Sequence, residues 1–222
     1  MDILKKILFI LLIIFNLISV VSCTERYLNR EFGFSLRVPD EVIVDNESLS
    51  VNEKNGKYVL RVVISSPEDG RGGLEEFLRI KHSIDIQDGR YIEMAQPVKY
   101  IKLNQTSIAL TSTNWDVIGG DGFDRSLIFI KLNKLIFIEL VYNSRLLQNE
   151  NINIYRQTRN ILGTYYRRLR SEGRDEVQAH MLSQQAMEED IRNGNPMNVP
   201  QEYVELILKF DEIVNSLEFF DP

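Results

Sequence analysis

Of 222 residues only one is cysteine, two are histidine and one is tryptophan. A single thiol closes no internal disulfide. The histidines, His82 and His180, stand 98 positions apart, and neither falls in a HExxH or comparable metal-ligand spacing. The one long apolar run, Ile7 to Val21, falls short of the ~20 residues that carry a helix across a bilayer. No internal repeat or low-complexity tract divides the chain. Positive charge is also in deficit: 26 Lys and Arg stand against 32 Asp and Glu, for a net charge of −6. Phosphate binding rests on Lys and Arg, so this balance makes nucleic acid a poor default partner.

The sequence opens MDILKKILFILLIIFNLISVVSC. Lys5 and Lys6 form a short positive region, and Ile7 to Val21 is apolar except for Asn16 and Ser19. This has the plan of a secretory signal peptide. Ser22 precedes Cys23, with Val20 and Val21 behind it. The stretch resembles a bacterial lipobox, which implies cleavage before Cys23 and a diacylglycerol on its sulfur. Thioether lipidation accounts for a lone cysteine in an exported chain without redox chemistry. Stable attachment needs more than one acyl chain, at about 0.8 kcal/mol per buried CH₂. On this reading residues 1–22 are a signal peptide and 23–30, CTERYLNR, a lipidated polar tether. Residues 1–22 carry Lys5 and Lys6 against Asp2, so the remainder holds −7. Thr24 stands where an aspartate often retains a lipoprotein in the inner membrane, which favours the outer one.

The rest, 31–220, reads as a single α+β domain. Phe32, Phe34, Leu36 and Val38 alternate with Gly33, Ser35 and Arg37, the period of a half-buried strand ended by Pro39-Asp40. A short strand over Val42–Val44 follows, and Asn55-Gly56 signals a hairpin returning through KYVLRVVIS. LEEFLRIKH, from Leu74, has the spacing of a short amphipathic helix. Residues 98–117 read as two strands turning near Asn104, and FDRSLIFIKL and LIFIELVY as a tight hairpin about Asn133-Lys134. The last two runs are apolar on both faces, as strands in the middle of a covered sheet are. Residues 143–200 turn polar, with patchy helical stripes over 145–192 broken by NGNPMNVP. The end is regular again: Tyr203, Leu206, Ile207, Phe210, Ile213, Val214 and Leu217 form one apolar helical stripe. Glu218 to Phe220 reads as a terminal strand.

Candidate chemistry is sparse. Ser83 and Ser183 lie near the histidines without the strand–turn–helix elbow of a nucleophile. GGDGFD, 119–124, offers glycines for a phosphate cradle or Asp121 and Asp124 for calcium. Strand signals on both sides and the missing D-x-D-x-D-G spacing make it a hairpin turn. The acidic runs Glu75-Glu76, Glu188-Glu189-Asp190 and Asp211-Glu212 read as solvated helix faces, and Trp115 as packing beneath a helix. No metal or cofactor is expected, and no enzymatic activity. The feature that stands out is YYRRLR, 165–170. Residues 145–174 hold seven arginines against Glu150 and Glu172, a local +5 in an acidic protein. Tyr165, Tyr166, Arg167, Arg168 and Arg170 are therefore the candidates for gripping anionic headgroups or an acidic partner.

The order of FGFSLRVP, an Asn-Gly hairpin, a short helix, antiparallel strands and a last helix ending IVNSLEF resembles the PsbP-like superfamily, which includes many small bacterial lipoproteins. The matching pieces are Phe32 to Pro39, LNQTSIAL at 103–110, the hairpin at 127–142 and Ile213 to Phe219. The resemblance implies an α/β/α sandwich around an antiparallel sheet, with 143–200 as a helical insertion before the C-terminal helix. It implies an accessory or binding role and transfers no active-site residue. The expectation is a lipid-anchored envelope protein acting as a non-catalytic module. The alternative is a carrier or sensor of a small apolar ligand, held between the sheet and a helix in a cavity lined by Phe34, Trp115 and Phe129.

Overall fold

The computed structural model describes residues 25–45, 57–65, 74, 99–117, 120–142 and 151–222. Along the described chain the strands are β1 (Arg26–Asn29), β2 (Phe34–Arg37), β3 (Val42–Asp45), β4 (Tyr58–Ile64), β5 (Lys99–Leu103), β6 (Thr106–Val117), β7 (Gly120–Lys131) and β8 (Lys134–Tyr142). Helices α1 (Asn151–Ser171), α2 (Glu176–Arg192) and α3 (Gln201–Ser216) follow, and β9 (Glu218–Phe219) ends the series. The class is α+β, as the sequence pattern implies. The strands form two sheets, one ordered β1-β2-β9 and one ordered β3-β4-β8-β7-β6-β5.

β7 and β8 occupy the centre of the larger sheet, where strands apolar on both faces belong. Their register pairs Leu127 with Ile138 and Phe129 with Ile136. These four side chains join Tyr58, Leu60 and Ile108 on the face that carries the helices. The intervening Ile128 and Leu135 bury on the opposite face with Ala109 and Leu74. The turns of this meander are made at Asn104-Gln105 and Leu132-Asn133, all four with positive φ. That geometry matches the right-handed twist of the paired strands. The second turn falls one residue earlier than the sequence suggests, because Lys134 pairs with Lys131 and belongs to β8. Likewise Gly120 to Gly122 pair with Val117 to Trp115 inside the ladder, so Gly120 and Gly122 lie in β7, while Gly119 lies outside the described residues.

Two expectations fail at the edges. Of the expected tether 23–30, residues 25–30 belong to the fold. Arg26 to Asn29 pair with Arg37 to Phe34, and Val38 N–H donates to Glu25 O at 2.7 Å. Tyr27 supplies the apolar surface that a tether lacks, with its ring 5.9 Å from that of Phe34. The folded domain thus already includes Glu25 and does not start at residue 31. The Asn55-Gly56 turn lies outside the described residues. Around it, β3 runs parallel to β4 over Tyr58–Arg61, and β8 holds the other edge of β4. Neither edge of that stretch is left for a strand returning through the turn.

The helix α3 follows its sequence pattern. Tyr203, Leu206, Ile207, Phe210, Ile213 and Leu217 are all buried, while Leu208 on the reverse side is exposed. It packs on β2, β7 and β8. β9 then pairs antiparallel with β2. Lys131 Nζ ties the two sheets together, donating to Gly33 O at 2.7 Å and Phe220 O at 2.9 Å. Gly33 sits at φ +59°, and a Cβ there would stand 2.3 Å from Phe220 O. Only glycine fits that approach.

Candidate functional site

Residues 151–192 form two long helices joined at Glu172–Asp175. Asp175 caps α2 by accepting from Gln178 N–H at 2.8 Å. α1 contains Arg156, Arg159, Arg167, Arg168 and Arg170 and no acidic residue. α2 contains Glu188, Glu189 and Asp190 near its end. The two helices pack along each other, and α1 also touches β7.

The side chains between these helices and the sheet include charged ones. Arg125 lies on the helix-facing side of β7, two residues before Leu127, and is 3% exposed. Its Nη2 donates to Glu188 Oε1 at 2.8 Å and to the Tyr203 hydroxyl. Its Nη1 donates to Asp124 O at 2.7 Å. Glu188 also accepts from Gln184 at 2.9 Å and pairs with Arg192 at 3.3 Å, which pairs onward with Asp211 at 2.6 Å. β7, α2 and α3 thus meet at one guanidinium. Burial pushes the Glu188 carboxyl up, but Arg125, Gln184 and Arg192 outweigh it and hold the group below the ordinary carboxylate value. Burial pushes the Tyr203 phenol up to about 12, against the opposing pull of Arg125. The expectation that Glu188 sits on a solvated helix face is therefore wrong, whereas Asp211 stands half-exposed in its pair with Arg192. The signal missed in the sequence is parity: Arg125 shares its strand face with Leu127 and Phe129, which are core residues.

The five residues expected to make a contact surface separate in space. Tyr165 is 1% exposed, and its hydroxyl donates to Asp190 at 2.7 Å. Burial, then the Asp190 carboxylate, pushes its phenol up to about 12. Arg168 stacks over the Tyr165 ring at 4.7 Å and stands 3.8 Å from both Glu172 and Asp190. Tyr165 is thus held between α1 and α2, while Arg168 reaches over it toward α2 and remains exposed. Tyr166 is half-buried at the flank of the helix. Arg167 and Arg170 are exposed. Arg167 donates to Thr164 Oγ1 at 3.1 Å, and Arg170 to Arg174 O at 3.0 Å.

Arg167 and Arg170 belong to a longer array. At 3.6 residues per turn, Arg156, Arg159, Arg167 and Arg170 fall within a sector of about 80° and span about 21 Å of helix. All four are exposed. Gly163 occupies the same sector at mid-length, and the only atom near the position of a Cβ there is Arg167 Nη1 at 3.8 Å. Among the described residues Arg156, Arg167 and Arg170 make no ion pair. Several other cations here do: Arg26 with Glu218, Lys57 with Glu205, Arg61 with Glu139 and Lys209 with Glu41. The sequence reading centred on YYRRLR and so missed Arg156 and Arg159, which are a turn or more away in sequence but on the same line in space.

Cys23 and His82 lie outside the described residues, as do the side chains of Trp115 and His180. Ser183 is buried in α2. Among the described residues no three His, Cys, Asp or Glu are grouped to hold a metal ion, and no helix is long and apolar enough to cross a membrane. No known protein family, curated protein or solved structure matches this chain.

Proposed function

We propose that this chain is a lipid-anchored protein of the bacterial envelope whose folded domain is a non-catalytic binding or accessory module. Cys23 carries the anchor, and the outer face of α1 is the contact surface. The observation that carries the reading is the position of the lone cysteine, which closes a signal-peptide-like run two residues before Glu25. Two residues span about 7 Å at full extension, so an anchor at Cys23 keeps the domain against the membrane. Thr24 favours the outer membrane. The layering we propose is the PsbP-like α/β/α sandwich, with α1 and α2 as the insertion. It is supported by burial on both faces of the six-stranded sheet and by the helical backbone at Leu74 on the face opposite α1–α3. A ligand carrier would need space around Phe34 and Phe129. Their rings instead meet edge to face at 5.5 Å, and Phe219 packs on Phe129 at 5.0 Å.

The test is metabolic labelling with a fatty acid. The wild-type protein takes the label and is cleaved before Cys23, whereas Cys23→Ala stays unlabelled and uncleaved. A wild-type protein without acyl chains ends the proposal.

A further inference from the structure

We propose that the outer face of α1 docks an acidic segment of a protein partner, whose carboxylates lie on Arg156, Arg167 and Arg170. The inference names the partner class for the contact surface proposed above and rests on that reading. α1 has five arginines and no carboxylate. Two of the five are engaged within the fold: Arg168 reaches over Tyr165 toward Asp190, and Arg159 makes an interaction of its own. The other three are exposed and make no ion pair among the described residues. None of the three has a carboxylate three or four residues away along the chain, the spacing at which a helix answers its own charges. They fall within a sector of about 60° and run along about 21 Å of helix.

The composition of the face selects a protein over a headgroup layer. Ile152 and Gly163 fall among the three arginines by position on the helix, and Tyr166 stands at their flank, half-buried. Arginine and tyrosine are enriched where proteins meet. A helix that lies in the headgroup layer holds to it by burying an apolar face. The apolar side of α1 is already buried in the fold, with Tyr165 and Leu169 turned away from the arginines. Gly163 also fits a partner of fixed shape. In mid-helix it is a conformational liability, and nothing in the fold excludes a methyl group there: the only atom near is Arg167 Nη1 at 3.8 Å. Its missing side chain leaves a recess between Arg156 and Arg167 where a partner side chain reaches the helix surface. A fluid headgroup layer makes no use of a recess at one place. The matching segment carries carboxylates over the same length, about four turns if it is a helix, and an apolar residue for the recess.

Full-length protein with photoreactive benzoylphenylalanine in place of Asn160, which is exposed beside the arginines, is irradiated in the cells that make it. The expected result is a discrete protein adduct whose cross-linked peptide, read by mass spectrometry, is rich in Asp and Glu. The Arg156→Glu, Arg167→Glu variant should lower the adduct yield at least about tenfold, because like charges then face each other across the contact, with an unchanged melting temperature. Gly163→Gln should also lower the yield by filling the recess, although glutamine is the better helix former and the variant should melt no lower. Adducts with lipid alone overturn the proposal. So does a protein adduct whose peptide lacks carboxylates, or whose yield either variant leaves intact. Those results would still leave α1 a contact surface, whereas the absence of any adduct would overturn that reading as well. Fatty-acid labelling of Cys23 is read on the same protein, so failure of the anchor is seen separately.

Discussion

Arg125 and Arg167 are the same side chain under opposite conditions. Arg125 is sealed beneath two helices, its charge answered by Glu188 and its Nη donors by Glu188, Tyr203 and the backbone of Asp124, with Nε left without a hydrogen bond. Arg167 lies in solvent with a single threonine contact. Taking a charge out of water costs several kcal/mol unless a partner is supplied, so every buried cation in the fold must come with its anion already placed. An exposed cation bears no such cost and requires no partner. Arg156, Arg167 and Arg170 make no ion pair among the described residues, and stability does not explain their alignment. The buried arginine thus reports how the helices are held, and the exposed set reports what the surface is available for.

The largest test of this contrast is Arg125→Ala. Breaking a buried ion pair costs about 3–5 kcal/mol, and because Arg192 still faces Glu188 the lower end, about 3 kcal/mol, is expected in chemical denaturation. The double variant Arg125→Met, Glu188→Leu should lose less than the sum of its singles, since no charge is then stranded. A loss below about 1 kcal/mol for Arg125→Ala would place the group among surface pairs and dissolve the distinction.

Acid comes next. Glu188 titrates near 4.5 when unfolded and lower when folded. Its contribution is therefore present above pH ~4.5 and is lost as pH falls through the folded value. Glu188→Gln should be less stable than wild type at neutral pH and should lose less on acidification. Parallel pH–stability curves for the two proteins would show that the carboxylate is not held by Arg125.

Smaller effects separate the two sides of α1. Tyr165→Phe removes the bond to Asp190 on the inner side and should cost about 1–2 kcal/mol, the range for a bond to a charged group whose acceptor keeps Arg168 nearby. On the outer side Gly163→Ala should raise stability by about 0.5–1 kcal/mol, since alanine is the better helix former and meets nothing. Should thermal unfolding show Gly163→Ala to be destabilised, that face is occupied within the fold and is not a free surface.

Legibility followed period. The alternation in Phe32–Val38, the doubly apolar runs of β7 and β8 and the stripe of α3 each repeat over several turns or pairs, so local pattern and burial agree. The basic helix was visible as composition, but its two faces were not. Tyr165 and Arg167 are two residues apart in sequence and about 200° apart on the helix. Reading YYRRLR as one patch merged a core residue with a surface one. The opening strand was hidden for a related reason: with four residues, two of them polar, β1 has too little alternation to distinguish it from a polar tether.

The sequence by itself determined the α+β class, the central hairpin, the buried face of α3 and the excess of positive charge in 145–174. These depend on neighbours at fixed short spacing, where the repeat of a strand or helix turns order along the chain into order in space. Only the tertiary structure decided that β3 runs parallel to β4, that Glu25 already belongs to the fold, that Glu188 answers Arg125 across 63 residues, and which arginines remain unpaired. Each of those depends on which distant surface comes to lie opposite, and the free energy of burying a charge or completing a strand edge is set by that surface and not by the residues next in line.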